Sequence, residues 1–396
     1  MTINNSTTSA NVAGVYELFQ LMRDGEPRTR ADIAALTGLA RSTVGLRIDA
    51  LRELGLLKPV TDAASTGGRP SSRIAFNPRA RIVAAADLGA THSTVALTDL
   101  AGTTLSETRT RLDIAEGPEK VLGYLVGTIA ALLEQIEWNG SELIAIGIGL
   151  PGPVVHATGK PSKPPLMPGW DGFDVPEYIR RTYRVPVLVD NDVNIMALGE
   201  RTMRQPQPDD MIFVKVATGI GSGIISGGQL QRGTDGTAGD IGHIPIARAA
   251  GVPCTCGNLG CLEAVASAPA IAATLRAAGL DAATSTDVIN LVRAGDLTAI
   301  QAVRQAGRDI GEVLNMCVSI VNPSLITIGG SLAPVADQLI AGIREIVYSR
   351  SMPLATQNLV IEQSKAGPEA GVIGASILAI EHALSQERMD AMIGPK

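Results

Sequence analysis

Two segments of this sequence, about 130 residues apart, repeat the same pattern of apolar stretches and glycine turns, and this repetition limits the folds open to the chain. IVAAADLGATHSTVALTDLAGTTL begins at Ile82, and MIFVKVATGIGSGIISGGQLQRG begins at Met211. Each segment predicts a strand, a tight turn, a second strand, a glycine turn and a third strand. Two copies of such a unit predict an α/β body that consists of a duplicated domain with a central cleft.

Composition supports such a body and excludes several classes of protein. The chain of 396 residues exceeds one ordinary core, and 45% hydrophobic residues with 43 glycines suit an α/β protein rich in tight turns. Aromatic residues make up 3%, which argues against a base-stacking RNA-binding sheet. The N-terminal residues lack the features of a signal peptide, and no apolar run is long enough to span a membrane. We therefore expect a cytoplasmic protein that does not enter a membrane.

The first turn of each copy exposes backbone N–H groups of the kind that bind phosphate. Asp87, at the end of the first predicted strand, offers a carboxylate to Mg²⁺ or to a reacting water molecule. Ordinary hairpins also need glycine, so a purely structural role for these turns is the alternative.

Three polar residues follow the apolar stretch in VPVLVDNDVNIMALGE. Asp190, Asn191 and Asp192 stand at the predicted carboxyl end of that strand, where open α/β sheets bind ligands. The Asn191 amide and the Asp192 carboxylate suit the hydroxyls of a polyol, and Asp192 is also a candidate base for phosphoryl transfer. The alternative is an Asx-rich helix cap, which explains one such residue better than three.

Three of the four cysteines lie within eight positions of the segment GHIPIARAAGVPCTCGNLGCLE. His243, Cys254, Cys256 and Cys261 have the spacing H-x10-C-x-C-x4-C, and this set predicts a closed, tetrahedral, structural Zn²⁺ site with one ion per chain. A disulfide between the first two cysteines would be strained, and unligated core thiols do not suit a loop rich in glycine, proline and asparagine. The remaining cysteine, Cys317, lies in an apolar stretch and is predicted to belong to the core.

Two acidic residues flank the predicted metal ligands. Asp240 stands just before the histidine, and Glu263 stands just after the last cysteine. A bound ion would tie the two segments together, so we expect both carboxylates to face one small ligand beside Asn191 and Asp192. The metal site would then make one wall of a polyol pocket rigid.

The first 80 residues differ from the rest in charge and in pattern. They contain ten Lys and Arg against seven Asp and Glu, whereas the remainder contains 23 against 32. Ala34, Gly38 and Val44 have the spacing of a helix-turn-helix, in which a small residue, a turn glycine and a branched apolar residue fix two helices. A basic head on an acidic body favours DNA binding by the head alone. The alternative is a helical hairpin used for dimerisation.

The second helix of this pair is expected to begin near Arg41, to be capped by Ser42 or Thr43, and to run to about Leu54. Two short strands with the sequence STGGRPSSR between them would form a wing. Its arginine could enter a minor groove. The predicted DNA-binding residues are Arg41, Ser42, Thr43, Arg47 and Arg69.

Taken together, these motifs make the sequence resemble the ROK family (repressor, open reading frame, kinase), specifically its regulators with a winged helix-turn-helix head. The resemblance extends over about residues 11–385 and rests on DLGAT, GIGLPGPV, PGWDG, DNDVN, TGIGSG, GDIGH, CTCGNLGCLE and PSLITIGGS. It implies an N-terminal winged helix-turn-helix followed by an actin-like/ribonuclease-H-like ATPase-type body. It also implies a homodimer or homotetramer.

The resemblance assigns further roles to individual residues. In this family the sugar-binding positions correspond to Asn191, Asp192, Asp240, His243 and Glu263. The carboxylate that follows Asn191 would be the catalytic base if the chain were a kinase. The nucleotide-binding turns correspond to Asp87, Gly89 and Thr91 in the first copy and to Thr218, Gly219 and Gly221 in the second.

Three positions depart from the pattern of the family's kinases. Ala90 replaces the second glycine of DxGGT, Ala217 replaces the first glycine of GTG, and Asp240 shortens the acid of GEIGH by one methylene. The methyl group of Ala90 can obstruct the approach of the backbone to a phosphate, and it disfavours a positive φ. The shorter Asp240 would reach a hydroxyl with the help of a water molecule. These departures argue against ATP and Mg²⁺ as cofactors.

We therefore expect four segments: a disordered N-terminus at 1–10, a winged helix-turn-helix at 11–78, and two body halves at 79–200 and 201–396. The second half holds the zinc site, and its C-terminal helices could pack back on the first half. The expected function is a sugar-responsive DNA-binding regulator, a repressor, of carbohydrate metabolism genes, with operator DNA and a sugar or sugar derivative as its partners. The alternatives are an ATP-dependent sugar kinase and a regulator controlled by a protein partner.

Overall fold

The computed structural model describes residues 14–60, 73–138 and 142–393, so the expectation for residues 1–10 lies outside the described chain. At the N-terminal end, three helices and an antiparallel hairpin form a small head. Its elements are α1 (Val15–Met22), α2 (Arg30–Thr37), α3 (Arg41–Glu53), β1 (Leu57–Val60) and β2 (Arg73–Phe76).

Local sequence explains how the helix-turn-helix begins and turns. The Thr29 side chain accepts a hydrogen bond from the Asp32 N–H, and the Asp32 carboxylate accepts one from the Thr29 N–H. This capping box satisfies two of the free N–H groups of α2. The helix ends at Gly38, whose φ of 69° lies in the left-handed region that glycine adopts without a steric cost.

Helix α3 begins at Arg41 as expected, but its cap differs from the prediction. The cap position is Ala40, which has no side-chain acceptor. The expectation that Ser42 or Thr43 caps this helix is therefore wrong, because both lie inside its first turn.

The first body half contains a five-stranded sheet in the order β5-β4-β3-β6-β9. Strand β3 is antiparallel to β4 and parallel to β6, and β9 is parallel to β6. A short hairpin, β7-β8, and two helices complete this half. The bounds are β3 (Ile82–Leu88), β4 (His92–Asp99), β5 (Thr104–Arg111), α4 (Pro118–Gln135), β6 (Leu143–Leu150), β7 (Val154–Val155), β8 (Lys160–Pro161), α5 (Val175–Arg180) and β9 (Val187–Asn191).

The second half repeats this arrangement with the order β12-β11-β10-β13-β14 and the same strand directions, which confirms the predicted duplication. Its elements are α6 (Asp192–Thr202), β10 (Met211–Val216), β11 (Ile220–Ser226), β12 (Gln229–Gln231), α7 (Glu263–Ala266), α8 (Ala268–Ala277), α9 (Ser285–Arg293), α10 (Leu297–Val321), β13 (Leu325–Gly329), α11 (Ala336–Arg350), α12 (Pro353–Thr356) and β14 (Val360–Gln363). Across the described chain, every helix falls short of the length or the apolar character that crossing a membrane requires.

Two helices, α6 and α13 (Ala370–Ala383), pack closely on each other between the sheets. A Cβ atom on Gly374 would lie 1.6 Å from the Ile195 carbonyl oxygen, so the helices can approach this closely only because that residue is glycine. Helix α13 also lies against β3 and β6 of the first sheet. A chain segment from the predicted second half thus packs on the first half, and the predicted boundary at residue 200 falls inside α6.

The C-terminal end of α13 and the following helix α14 (Gln386–Ile393) pack against the head. Their apolar side chains and those of α1 form one buried cluster, in which Ile380 and Met389 contact the same core as Phe19. The Arg23 guanidinium donates to the Glu381 carboxylate at 2.6 Å across this boundary. The head is therefore attached to the body through a shared core as well as through the chain.

Candidate metal centre and ligand-binding cleft

The predicted metal ligands come together in the structure. One ligand atom from each of His243, Cys254, Cys256 and Cys261 lies within 4.8 Å of the others. The His243 Nδ1 atom is 3.7 Å from the Cys254 Sγ atom, and the Sγ atoms of Cys256 and Cys261 are 3.8 Å apart. Positive φ angles at the two glycines between the cysteines (92° and 87°) bend the loop around this point. We call residues 243–261 the metal loop.

These distances suit a tetrahedral ion, and all three cysteines are free thiols. Zn–S bonds of about 2.3 Å at tetrahedral angles separate two sulfurs by about 3.8 Å, whereas a disulfide would bring them to about 2.05 Å. Burial and the neighbouring thiols raise the pKa of Cys261 to about 12. A coordinated cation reverses this preference because it deprotonates the thiols that bind it. The cluster can therefore bind a metal ion, and four protein ligands leave no open coordination position.

Both ends of the metal loop pack on the start of β11. A Cβ atom on Gly242 would lie 2.1 Å from the Ile220 carbonyl oxygen, and the Ile220 N–H donates to Glu263 Oε2 at 3.0 Å. On the same strand, a Cβ atom on Gly221 would lie 3.2 Å from Val193, the second residue of α6. Glu263 and the N-terminal end of α6 therefore lie at one end of β11. The Asp240 side chain is 51% exposed, and its Oδ1 atom lies 4.0 Å from His243 Nε2.

The polar residues at the end of β9 have separate partners. The Asn191 side chain accepts from the Val193 N–H at 2.9 Å, which caps α6, and donates to the Gly152 carbonyl at 3.0 Å. The helix-cap alternative thus describes part of what Asn191 does. Asp190 is 2% exposed and accepts from Arg232 at 2.7 Å, so it joins β9 to the loop after β12.

The sequence analysis missed Lys215, the residue that pairs with Asp192. Its ammonium donates a hydrogen bond to Asp192 Oδ2, and Asp192 is 3% exposed. Burial acts against the charged ammonium, but the carboxylates of Asp192 and Asp87 outweigh it and raise the pKa of Lys215 above its ordinary value. The only signal in the sequence is a lysine inside the otherwise apolar strand MIFVKV.

The first predicted nucleotide turn is covered by a side chain. A Cβ atom on Gly89 would lie 2.1 Å from the His92 ring, and His92 Nε2 is 3.8 Å from Asp87 Oδ2. Asp87 is 6% exposed, and a Cβ atom on Gly371, at the start of α13, would lie 2.2 Å from its carboxylate. Thr91 is exposed.

The second predicted turn is occupied by Glu263. A Cβ atom on Gly219 would lie 2.5 Å from Glu263 Oε2, while Thr218 is exposed. In the described chain, positive φ at non-glycine residues occurs only at positions 137, 163 and 322. Neither Ala90 nor Ala217 is therefore strained, and the φ argument made for Ala90 does not apply.

Four of the five predicted DNA-binding residues of the head lie on α3. Arg41 and Ser42 are exposed, while Thr43 and Arg47 are half-buried. The Arg47 guanidinium reaches back to α1, where a Cβ atom on Gly14 would lie 2.3 Å from it. The predicted wing strands are present as β1 and β2, but Arg69 lies outside the described residues.

A helix-turn-helix head joined to a duplicated α/β body with a Cys₃His loop defines a class of protein that combines DNA-binding and ligand-binding parts. Residues 83–382 match the model of the ROK family. The chain belongs to the ROK family, as its motifs predicted.

The comparisons also distinguish the regulators of this family from its kinases. The chain is 29% identical over 366 residues to the xylose repressor of Bacillus spizizenii, a match that covers 92% of this chain and 94% of the relative. A solved ROK family transcriptional regulator, a homologue of the E. coli MLC protein, superposes with a TM-score of 0.83 at 25% identity and covers 97% of this chain and 99% of its own. The ROK hexokinase from Thermus thermophilus (TM-score 0.63, 27% identity) covers 76% of this chain and 99% of its own. These matches confirm the predicted fold and place the chain with the transcriptional regulators.

Proposed function

We propose that this protein is a sugar-responsive repressor of carbohydrate metabolism genes that binds operator DNA through its head. The observation that carries the proposal is the match to a ROK regulator over 97% of the chain, head included, whereas a ROK hexokinase matches 76%. Such a regulator would act in the cytoplasm, where its DNA is. We propose a homodimer or homotetramer, since two heads can then contact two half-sites of one operator.

The proposed sugar site lies in the cleft where β9, β11 and the metal loop meet. Carboxylates and amides form the hydrogen bonds that sugar hydroxyls need. Support comes from the position of Glu263 and the metal loop on the start of β11, beside α6. The proposed contacts are Asn191, Asp192, Asp240, His243 and Glu263.

The proposed ion in the metal loop is a structural Zn²⁺. Three sulfurs, one imidazole nitrogen and a closed ligand set are what zinc prefers. His243 would bind the ion through Nδ1, which lies 3.7 Å from Cys254 Sγ, while its Nε2 atom lies 4.0 Å from Asp240 Oδ1. One ring nitrogen would thus face the ion and the other the proposed sugar site. The ion would hold that imidazole in place and leave the chemistry of the cleft to other residues.

Helix α13 is the proposed link between the sugar site and the head. Its first turn lies against Asp87, where a Cβ atom on Gly371 would be 2.2 Å from the carboxylate. Its last turn contributes Ile380 to the core of the head and Glu381 to the ion pair with Arg23. A sugar that binds two arrangements of the halves with different free energies would therefore change the position of the head.

The proposed DNA contacts are Arg41, Ser42, Thr43 and Arg47 on α3, with Arg69 of the predicted wing. Guanidinium groups and hydroxyls near the start of a recognition helix suit base edges and phosphates in the major groove. The head carries more basic than acidic residues, which supports its role as the DNA-binding part.

The test is operator binding in the presence of sugars. A duplex selected by the protein from a random pool would be labelled, and its affinity measured with and without xylose, hexoses, amino sugars and sugar phosphates. We expect at least one sugar to change the affinity about 5- to 150-fold. If no sugar binds the protein or changes the affinity, control by a protein partner becomes the better explanation.

One observation keeps the kinase alternative open for testing. Asp192, the residue that corresponds to the catalytic base, is present, and the hexokinase body superposes with a TM-score of 0.63. Incubation with ATP, Mg²⁺ and the same sugars would reveal a kinase by turnover of about 1 s⁻¹ or more. We expect none.

A further inference from the structure

Two nearly buried carboxylates share the cleft with a single lysine. Asp87, at the end of β3, is 6% exposed, and Asp192, the first residue of α6, is 3% exposed. Lys215 lies on β10 of the second sheet. The Lys215 side chain is 18% exposed, and its ammonium donates to Asp192.

The Lys215 ammonium compensates the negative charges of the two carboxylates. Two ionised carboxylates with little access to water destabilise each other and the fold unless a cation lies between them. The ammonium bonds Asp192 directly and is close enough to Asp87 for their charges to interact. His92 lies on the exposed side of Asp87, with Nε2 3.8 Å from Oδ2. The cluster therefore contains its own cation.

A kinase of this family would need the same space for a different cation. Mg²⁺ binds one or two carboxylates together with substrate phosphates, and it requires water or oxygen ligands at about 2.1 Å on every side. Here Lys215 holds Asp192, and Gly371 and His92 pack against Asp87. The residues present do not fit a bound Mg²⁺ ion.

We propose that Lys215 is a built-in cation that takes the place of a divalent metal ion between Asp87 and Asp192. The ammonium gives the buried Asp192 carboxylate a charged hydrogen-bond partner, so its oxygens can accept from a ligand hydroxyl without a metal ion or a nucleotide. Because Lys215 excludes the Mg²⁺ ion that phosphoryl transfer requires, this cleft can bind a ligand but cannot phosphorylate it. This inference does not require the sugar to act on DNA, so it can fail or hold independently of the proposed function.

The test is Mn²⁺ binding by the full-length, zinc-loaded protein, measured by electron paramagnetic resonance and by thermal shift. We expect the wild type to bind no Mn²⁺ in this cleft at about 1 mM. In Lys215→Met, the two carboxylates lose their counterion, and we expect one Mn²⁺ per chain with an affinity at least about tenfold higher than in the wild type. The double variant Lys215→Met/Asp192→Asn should lose this site again.

A matched control is Lys160→Met. Lys160 is also a paired lysine, 2.9 Å from Asp174, but it lies on the hairpin β7-β8 and its side chain is 40% exposed. The Lys160→Met protein should bind Mn²⁺ no better than the wild type.

Two results would overturn the proposal. One is a wild-type protein that binds Mn²⁺ in a manner abolished by Asp192→Asn, because the ammonium would then not exclude the ion. The other is a folded Lys215→Met that gains no site. If Lys215→Met does not fold, Lys215→Gln, which keeps a hydrogen-bond donor without the charge, replaces it under the same criterion.

Discussion

At the residue scale, the metal loop makes the most direct prediction. Replacing Cys256 by Ser removes one of four ligands, so zinc should fall from about one ion per chain to a small fraction of that value. The loop would lose its cross-link, and we expect the melting temperature to fall by roughly 5 °C or more. Elemental analysis and thermal unfolding measure the two effects.

The control for this variant is Cys317→Ser. Cys317 is half-buried, packs on the core of the second half, and does not belong to the group of four residues whose ligand atoms come together. It should keep the full zinc content. Equal zinc in both variants would show that Cys256 is not a ligand.

A second prediction at this scale concerns the pH dependence of Glu200, which is fully buried on α6. Burial alone would raise the pKa of this carboxyl, but hydrogen bonds from the Ser364 hydroxyl and from the N–H groups of Lys365 and Ala366 lower it below the ordinary 4.5. The ionised group therefore stabilises the fold at neutral pH. This stabilisation is lost as the pH falls below the ordinary value and through the lower folded one.

The corresponding experiment compares Glu200→Gln with the wild type in urea between pH 3 and pH 8. We expect a loss of about 2 kcal/mol in the free energy of unfolding at pH 7 that shrinks below about pH 5. The exposed Glu134→Gln serves as the reference and should change little at any pH. A loss that stays constant down to pH 3 would contradict the role given to the ionised carboxylate.

At the scale of elements, the sequence predicted what depends on local pattern. The repeated strand and glycine segments predicted the duplicated sheets, and Gly38 predicted the turn between α2 and α3. The cysteine spacing predicted that the side chains of the metal loop come together. These signals reside in residues that are close along the chain.

Contacts between residues that are distant along the chain could not be predicted from the sequence. Lys215 pairs with a carboxylate 23 positions earlier, and Arg248 in the metal loop donates to the buried Asp309 on α10 at 2.8 Å. The cap of α3 was also misjudged, since a serine in the first turn and a serine at the cap look alike in a sequence without the backbone angles. Only the tertiary arrangement decides which charges meet.

Helix α13 carries the third prediction. If it connects the cleft to the head, then loosening its contact with the head should weaken the response and leave the sugar site intact. We expect Ile380→Val, which removes one buried methyl group at about 1 kcal/mol, to reduce the sugar-induced change in operator affinity at least about threefold. Sugar affinity itself should stay within about twofold of the wild type.

The matched control is Ile129→Val on α4. Ile129 is as fully buried as Ile380 but belongs to the core of the first half, away from α13 and the head. It should cost similar stability and leave the coupling unchanged. An equal loss of coupling in both variants would attribute the effect to general destabilisation and not to α13.

At the scale of the whole molecule, the division into a basic head and an acidic body predicts how DNA binding responds to salt. The first 80 residues contain ten Lys and Arg and seven Asp and Glu, and the chain as a whole has a net charge of −6. DNA contact should therefore be confined to the head, and Arg41→Ala should lower the salt slope of operator binding by about 1. Lys160→Met, on the body, should leave that slope unchanged.

The last prediction joins the two ends of the molecule. Because binding free energies form a closed cycle, the factor by which a sugar changes operator affinity must equal the factor by which operator DNA changes sugar affinity. We expect calorimetric titrations of sugar into free and operator-bound protein to differ by the factor found in the operator-binding assay, and in the same direction. A factor of one in both titrations, with the sugar bound, would mean that the cleft and the head are independent and that α13 is only a structural support.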